Sequence, residues 1–86
     1  MEIRFSKRFE KQYQKLSKKN RNKFWERLEL WKTEPYHPLL KHHVLSGKLA
    51  GLHSINITAD LRAIYRVVND TIYIYELIGT HSQLYG

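Results

Sequence analysis

Apolar residues recur along this chain with two different periods. In the first third they fall at helical spacing. Phe9, Tyr13 and Leu16 stand at i, i+4 and i+7, and Phe24, Leu28 and Trp31 repeat that spacing, with Trp25 widening the stripe. Ser6 lies where a helix N-cap belongs, "SKKN" punctuates the pattern, and Pro35 ends it. With "EIRF" as a short opening strand, this predicts a strand followed by a hairpin of two amphipathic helices. After residue 51 the runs "LHSINIT", "LRAIYRVV" and "TIYIYELIG" are rich in Ile, Val and Tyr, which fits strands. Asn69 and Asp70 separate the last two as a tight-turn pair. Between helices and strands, residues 35–51 read as a loop holding both prolines, with a short strand near Leu45. The expected fold is one α+β domain over residues 1–86, with the helical hairpin packed on one face of an antiparallel sheet of three to four strands.

If Asn69 and Asp70 are the central turn residues, Val68 pairs with Thr71, Tyr65 with Ile74, Arg62 with Leu77 and Leu61 with Ile78. Alternation then sorts the side chains into two faces. Leu61, Ala63, Tyr65, Val67, Ile72, Ile74 and Ile78 form an apolar face for the helices. Arg62, Ile64, Arg66, Tyr73 and Tyr75 form a second face that a core would not accept. On the extended ladder Asp60 stands opposite Gly79, and His81 has the parity of the second face. Asp60, Arg62 and His81 then converge on parts suited to proton transfer around a phosphate, since imidazole titrates near neutrality and guanidinium offers phosphate a fixed fork. The register decides this, because a one-residue slip turns Arg62 into the core. A structural alternative has Asp60 capping a turn and pairing with Arg62.

Charge adds a partner class. Fifteen Lys and Arg against eight Asp and Glu give a net charge of +7, and residues 1–34 alone hold eleven bases and five acids. Such a surface attracts a polyanion, either nucleic acid or an acidic protein segment, although a solvated helical face would look the same. Lys11, Lys15, Lys18, Lys19, Arg21 and Lys23 are the candidate cations. The absence of cysteine fits a reducing compartment, and the N-terminal stretch lacks an apolar signal core, so a cytoplasmic protein without membrane contact is expected. His37, His42, His43, His53 and His81 raise the question of zinc. Adjacent His42 and His43 cannot readily reach one tetrahedral ion from regular structure, and no metal or other cofactor is expected. Among the histidines, only His81 and, less directly, His43 in the loop feeding the sheet are assigned a role.

The segments "LKHHVLSGKLAGLHSINITADLRAIYRV" and "ELIGTHSQLYG" resemble the second half of the RelE/ParE superfamily of bacterial toxins, and within it the YafQ- and RelE-like messenger RNA interferases. The resemblance implies the RelE-like microbial ribonuclease fold. It also implies a toxin that enters the ribosomal A site and cuts messenger RNA, monomeric when free and held in a hetero-oligomer by a cognate acidic antitoxin. By position it places catalytic roles on His43, Asp60 and His81, an aromatic contact on Tyr85, and on Arg62 the phosphate-stabilising arginine of RelE- and YoeB-like members. A second YafQ-like histidine is replaced by Asn56, which hydrogen-bonds but takes up no proton at neutral pH. That leaves the general base open between Asp60 and His43. Asn56, Arg66, Tyr73 and Tyr75 are further candidate RNA contacts, and the helical cations are expected to grip ribosomal RNA. Two rivals share the fold: a ParE-like toxin that binds DNA gyrase without cutting RNA, and a weakened toxin that acts through antitoxin binding and operon autoregulation.

Overall fold

The computed structural model describes residues 1–85. The chain opens with β1 (Glu2–Phe5) and passes directly into α1 (Lys7–Gln14) and α2 (Lys18–Thr33). α1 starts where Ser6 predicts, and α2 starts within the "SKKN" break, capped by Ser17, which the sequence reading did not single out. The Ser6 hydroxyl accepts from the Phe9 amide at 3.0 Å and the Ser17 hydroxyl from the Asn20 amide at 3.1 Å, each satisfying a donor that the first turn cannot. The remaining strands are β2 (His43–Val44), β3 (His53–Asn56), β4 (Leu61–Val68) and β5 (Ile72–Thr80), and a five-residue helix, α3 (His81–Tyr85), follows.

The sheet has five strands in the order β1-β5-β4-β3-β2, and β1 runs parallel to β5. It is therefore mixed and wider than the antiparallel sheet of three to four strands that the sequence suggested. The four residues of "EIRF" announce a strand but not its neighbour. Here the helical hairpin carries the chain from β1 to β2 at the opposite edge, and the antiparallel run β2-β3-β4-β5 brings it back to lay β5 alongside β1, with Glu2 beside Ile72 and Phe5 beside Tyr75. The Ser6 amide continues the ladder to the Tyr75 carbonyl at 3.0 Å, and its hydroxyl donates to the Glu76 carbonyl at 3.0 Å. One serine thus caps α1 and clips it to β5.

The β4–β5 hairpin departs from its expected register in two steps. Asn69 and Asp70 do form the turn, both at positive φ (53° and 58°), and the Thr71 amide donates to the Val68 carbonyl. Beyond the turn, however, Val68 stands opposite Ile72 and Tyr65 opposite Tyr75, and an irregularity next to Tyr65 then sets Ile64 opposite Leu77 and Arg62 opposite Gly79. Glu76 is the extra residue on β5, a β-bulge. The first step turns Tyr73 and Tyr75 toward the helices, so their placement on the outer face is corrected; the bulge then restores Ile78 to the core. Tyr75 is fully buried among Phe5, Phe9, Phe24, Trp31 and Tyr65, with its ring centre 5.8 Å from that of Phe24 at 82°. Edge-to-face packing of this kind suits aromatic quadrupoles and explains why a tyrosine-rich strand can serve as core.

Candidate functional site

Toward the α3 end of the sheet, two rows of strand residues have their side chains on the face away from the helices. His43, Ser54, Ile64 and Leu77 are laterally paired, and the next row toward the end of β5 is Asn56, Arg62 and Gly79. Arg62 therefore lies between Asn56, only 8 % exposed, and a residue without a side chain. Gly79 meets the side chains of α3 there at close range. A Cβ at that position would come within 2.9 Å of Gln83 Oε1 and 3.3 Å of Gln83 Cβ, so glycine lets α3 fold back over the strand end.

The reversal is fixed by a capping box. The Thr80 amide donates to Gln83 Oε1 at 2.8 Å, and the Gln83 amide donates to Thr80 Oγ1 at 3.3 Å. This turn corrects the expectation that strand parity aims His81. His81 opens α3, Tyr85 lies four residues on along the same helical face, and their rings sit 4.6 Å apart. The signal was present as Thr80-x-x-Gln83, a capping-box spacing that strand periodicity masked.

A cleft of about 420 Å³ is lined by His43, Val44, Leu45, Ser46, Arg62, His81 and Tyr85. It unites four sequence-predicted residues from three separate stretches of chain; Val44, Leu45 and Ser46 were not anticipated. His43 Nδ1 lies 3.0 Å from the Lys41 carbonyl, which can only accept, so Nδ1 carries the hydrogen and a neutral His43 presents the Nε2 lone pair. Arg62 is half-buried and makes no ion pair among the described residues. A guanidinium held in that way is ready for an anion.

Other candidates lie elsewhere. Asp60 is exposed in the β3–β4 turn, where the Thr58 hydroxyl accepts from its amide at 3.2 Å, and it does not line the cleft. It was expected opposite Gly79, but the shifted register gives that position to Arg62, and no Asp60–Arg62 ion pair forms among the described residues. Arg66 pairs with Glu76 at 2.9 Å. Tyr75 is sealed in the core, and Tyr73 is half-buried against Trp31 with ring centres 5.2 Å apart. Lys11, Lys15, Lys18 and Lys19 are exposed, Arg21 is half-buried, and Lys23 pairs with Glu26 at 3.2 Å. Lys15 shares a surface depression with Ile78 and Gln83, which brings the α1–α2 joint to the α3 end of the sheet.

His42 and His53 belong to the core side. His42 Nδ1 lies 2.8 Å from the Pro35 carbonyl, and its Nε2 lies 2.9 Å from His53 Nδ1 and 3.0 Å from the Tyr65 hydroxyl. Tyr36 stacks on His42, and His53 on Tyr65. Burial pushes both imidazoles below their ordinary pKa and raises the Tyr65 phenol to about 12. Among the described residues no group of three or more His, Asp or Glu is arranged to hold a metal ion, and no helix is long and apolar enough to cross a membrane.

A helical hairpin on such a sheet, closed by a short C-terminal turn, is the architecture of the RelE/ParE toxin superfamily. YafQ from Escherichia coli strain BL21(DE3) superposes with a TM-score of 0.83 at 24% identity, covering 99% of this chain and 98% of that one. YafQ in the E. coli DinJ–YafQ toxin–antitoxin complex gives 0.81 at 26%, covering 99% and 97%, and the YoeB/ParE toxin from Agrobacterium tumefaciens 0.77 at 25%, covering 94% and 99%. No curated protein matches significantly. The family model described as a bacterial toxin of type II toxin-antitoxin system, YafQ, matches residues 1–86, so the chain belongs to the YafQ toxin family.

Proposed function

We propose that this YafQ-family toxin is a ribosome-dependent endoribonuclease that cuts messenger RNA without a metal. The observation that carries the reading is the convergence of His43, Arg62, His81 and Tyr85 on one cleft. The substrate 2′-hydroxyl loses its proton to His43 Nε2 as the 2′-oxygen bonds to the adjacent phosphorus. The bond from phosphorus to the 5′-oxygen breaks, and His81 protonates that leaving oxygen, so the products are a 2′,3′-cyclic phosphate and a 5′-hydroxyl. Arg62 holds the charge that develops on the phosphoryl oxygens. Tyr85 packs against a base. His43 is preferred over Asp60 as the base because it lines the cleft with a tautomer whose free nitrogen can accept. Asn56, beside Arg62, offers a hydrogen bond but no proton. DNA, lacking the nucleophile, survives.

The cations around the α1–α2 joint would hold ribosomal RNA by its phosphates at the A site. The partner that silences the toxin is an acidic antitoxin, as the net charge of +7 favours and as the DinJ–YafQ complex exemplifies for a relative. The test is induction of wild type beside His81→Ala, with primer extension on an abundant message. Cuts inside translated codons that the substitution abolishes support the reading. Growth arrest with intact messages, unchanged by the substitution, overturns it and indicates a gyrase-type target.

A further inference from the structure

On the core side of the sheet, two side chains crowd a single atom of a third. His42 Nε2 lies 2.9 Å from His53 Nδ1 and 3.0 Å from the Tyr65 hydroxyl. Hydrogen bonds alone do not satisfy this arrangement. His42 Nδ1 faces the Pro35 carbonyl at 2.8 Å, and because a carbonyl can only accept, Nδ1 carries the hydrogen of the neutral ring. Nε2 then has one lone pair, and two groups approach it. If Tyr65 donates to it, His53 Nδ1 either crowds a second hydrogen onto the same lone pair or sets its own lone pair against it. A cation bound by all three atoms removes the conflict.

We propose that His42 Nε2, His53 Nδ1 and the Tyr65 oxygen form a binding site for a divalent late first-row transition ion of the zinc and copper class. Imidazole suits these ions. A ligating histidine characteristically donates its other ring N–H to a carbonyl or carboxylate, which fixes the tautomer, and Pro35 does this for His42. Tetrahedral bonds of zinc to nitrogen set ligand atoms about 3.3 Å apart, so the two imidazole nitrogens need part by about 0.4 Å. His42 can supply that movement, since it stands in the loop between Lys41, at φ 45°, and β2, while His53 is held in β3. Both rings are half-buried, which leaves the ion a path from solvent and a fourth position for water. Tyr65 is 2 % exposed and its phenol is raised to about 12. It therefore binds by releasing its proton to solvent as the oxygen bonds to the ion. The sequence offered His42 its neighbour His43 as a co-ligand; the fold supplies His53 instead. Lying across the sheet from the His43 cleft, the ion takes no part in cleavage, and it ties the loop that leads into His43 to β3.

The test uses the full chain without an affinity tag, stripped of metal by a chelator. Zinc is titrated in by calorimetry and aromatic NMR, and copper(II) by visible absorption. The expected result is one zinc per chain, shifts of the His42 and His53 ring signals, and a phenolate-to-copper absorption band. His53→Phe keeps a ring against Tyr65 and should weaken zinc binding about tenfold or more. Tyr65→Phe should remove the copper band. A His43→Ala, His81→Ala double variant should bind zinc as the wild type does. Absence of saturable zinc binding, or shifts confined to the His43 and His81 rings, overturns the site, and this holds whether or not His53→Phe folds. Unchanged zinc binding in a folded His53→Phe protein overturns it as well. A copper band that survives Tyr65→Phe overturns the role of the phenol.

Discussion

His42 and His43 are adjacent in sequence and belong to opposite sides of the sheet, and the contrast separates structure from chemistry in this protein. His42 has both ring nitrogens engaged, one by the Pro35 carbonyl and the other by His53 and Tyr65, with Tyr36 stacked on its face. His43 has one nitrogen tied to the Lys41 carbonyl, and its ring lines a cleft that it shares with Arg62 and His81. An imidazole with every lone pair and hydrogen spoken for fixes a loop, while one with a free nitrogen beside an unpaired guanidinium can move a proton. The same residue type therefore carries opposite expectations in the two places.

The largest effects belong to the cleft side. His81→Ala should lower cleavage of ribosome-bound message by about 10²- to 10⁴-fold, with thermal stability unchanged because His81 is exposed and lies in the terminal helix. Loss of both activity and fold would mean that His81 is structural. Arg62→Lys should cost on the order of 10²-fold, because a point charge replaces a fork that can bind two oxygens. If Lys at 62 retained full activity, simple charge attraction would suffice and the clamp would be unnecessary.

On the core side the order of effects reverses. His42→Ala removes the bond to Pro35 and leaves Tyr65 and His53 short of a partner, a loss of about 1 to 3 kcal/mol, which urea denaturation would resolve. Its effect on cleavage should be smaller than that of His81→Ala. Acid should act through the same pair. Burial lowers both imidazole pKa values from the ordinary 6.5, so below that pH the unfolded chain binds more protons than the folded one. The stability that neutral His42 and His53 confer is full above about pH 6.5 and is lost as the pH falls below it toward the folded values. A denaturation series between pH 7.5 and 5 should show this decline, and it should flatten in a His42→Phe, His53→Phe double variant. A decline of equal slope in the double variant would place the acid sensitivity elsewhere.

Much of this division was legible in the sequence, and the limits have physical causes. Helical spacing correctly placed Phe9, Phe24, Leu28 and Trp31 in the core, and Ser6 marks a real helix start. The outward face of β4, with Arg62 and Arg66, followed from alternation on a strand whose own pleat is regular. β5 failed because its pairing with β4 is slipped by one step directly after the turn, and both that slip and the further bulge at Glu76 are relations between two strands that leave no periodic trace in either. A ladder slipped by one step on one side of that bulge and by two on the other cannot be read from turn residues alone, and Tyr73 and Tyr75 were misassigned as a result. The edge pairing of β1 is hidden for a similar reason, since four residues fix a conformation but not a neighbour.

The smallest expected effect tests how the two sides meet. α3 is too short to persist on its own, so the angle at which it presents His81 depends on the reciprocal bonds between Thr80 and Gln83 and on the bare backbone of Gly79. Gln83→Ala removes one of those bonds from an exposed turn, which should change global stability by about 1 kcal/mol or less. Cleavage should nonetheless fall about three- to tenfold, because a small tilt of α3 displaces an acid that must reach one oxygen. Gln83→Glu keeps an acceptor for the Thr80 amide and should restore most of the rate, whereas Gln83→Met, which fills similar space without that acceptor, should not. If Gln83→Ala cut as fast as wild type, the cleft would have to draw the orientation of His81 from the bound RNA itself, and the comparison would narrow to His43 and Arg62 as the groups that the fold alone holds in place.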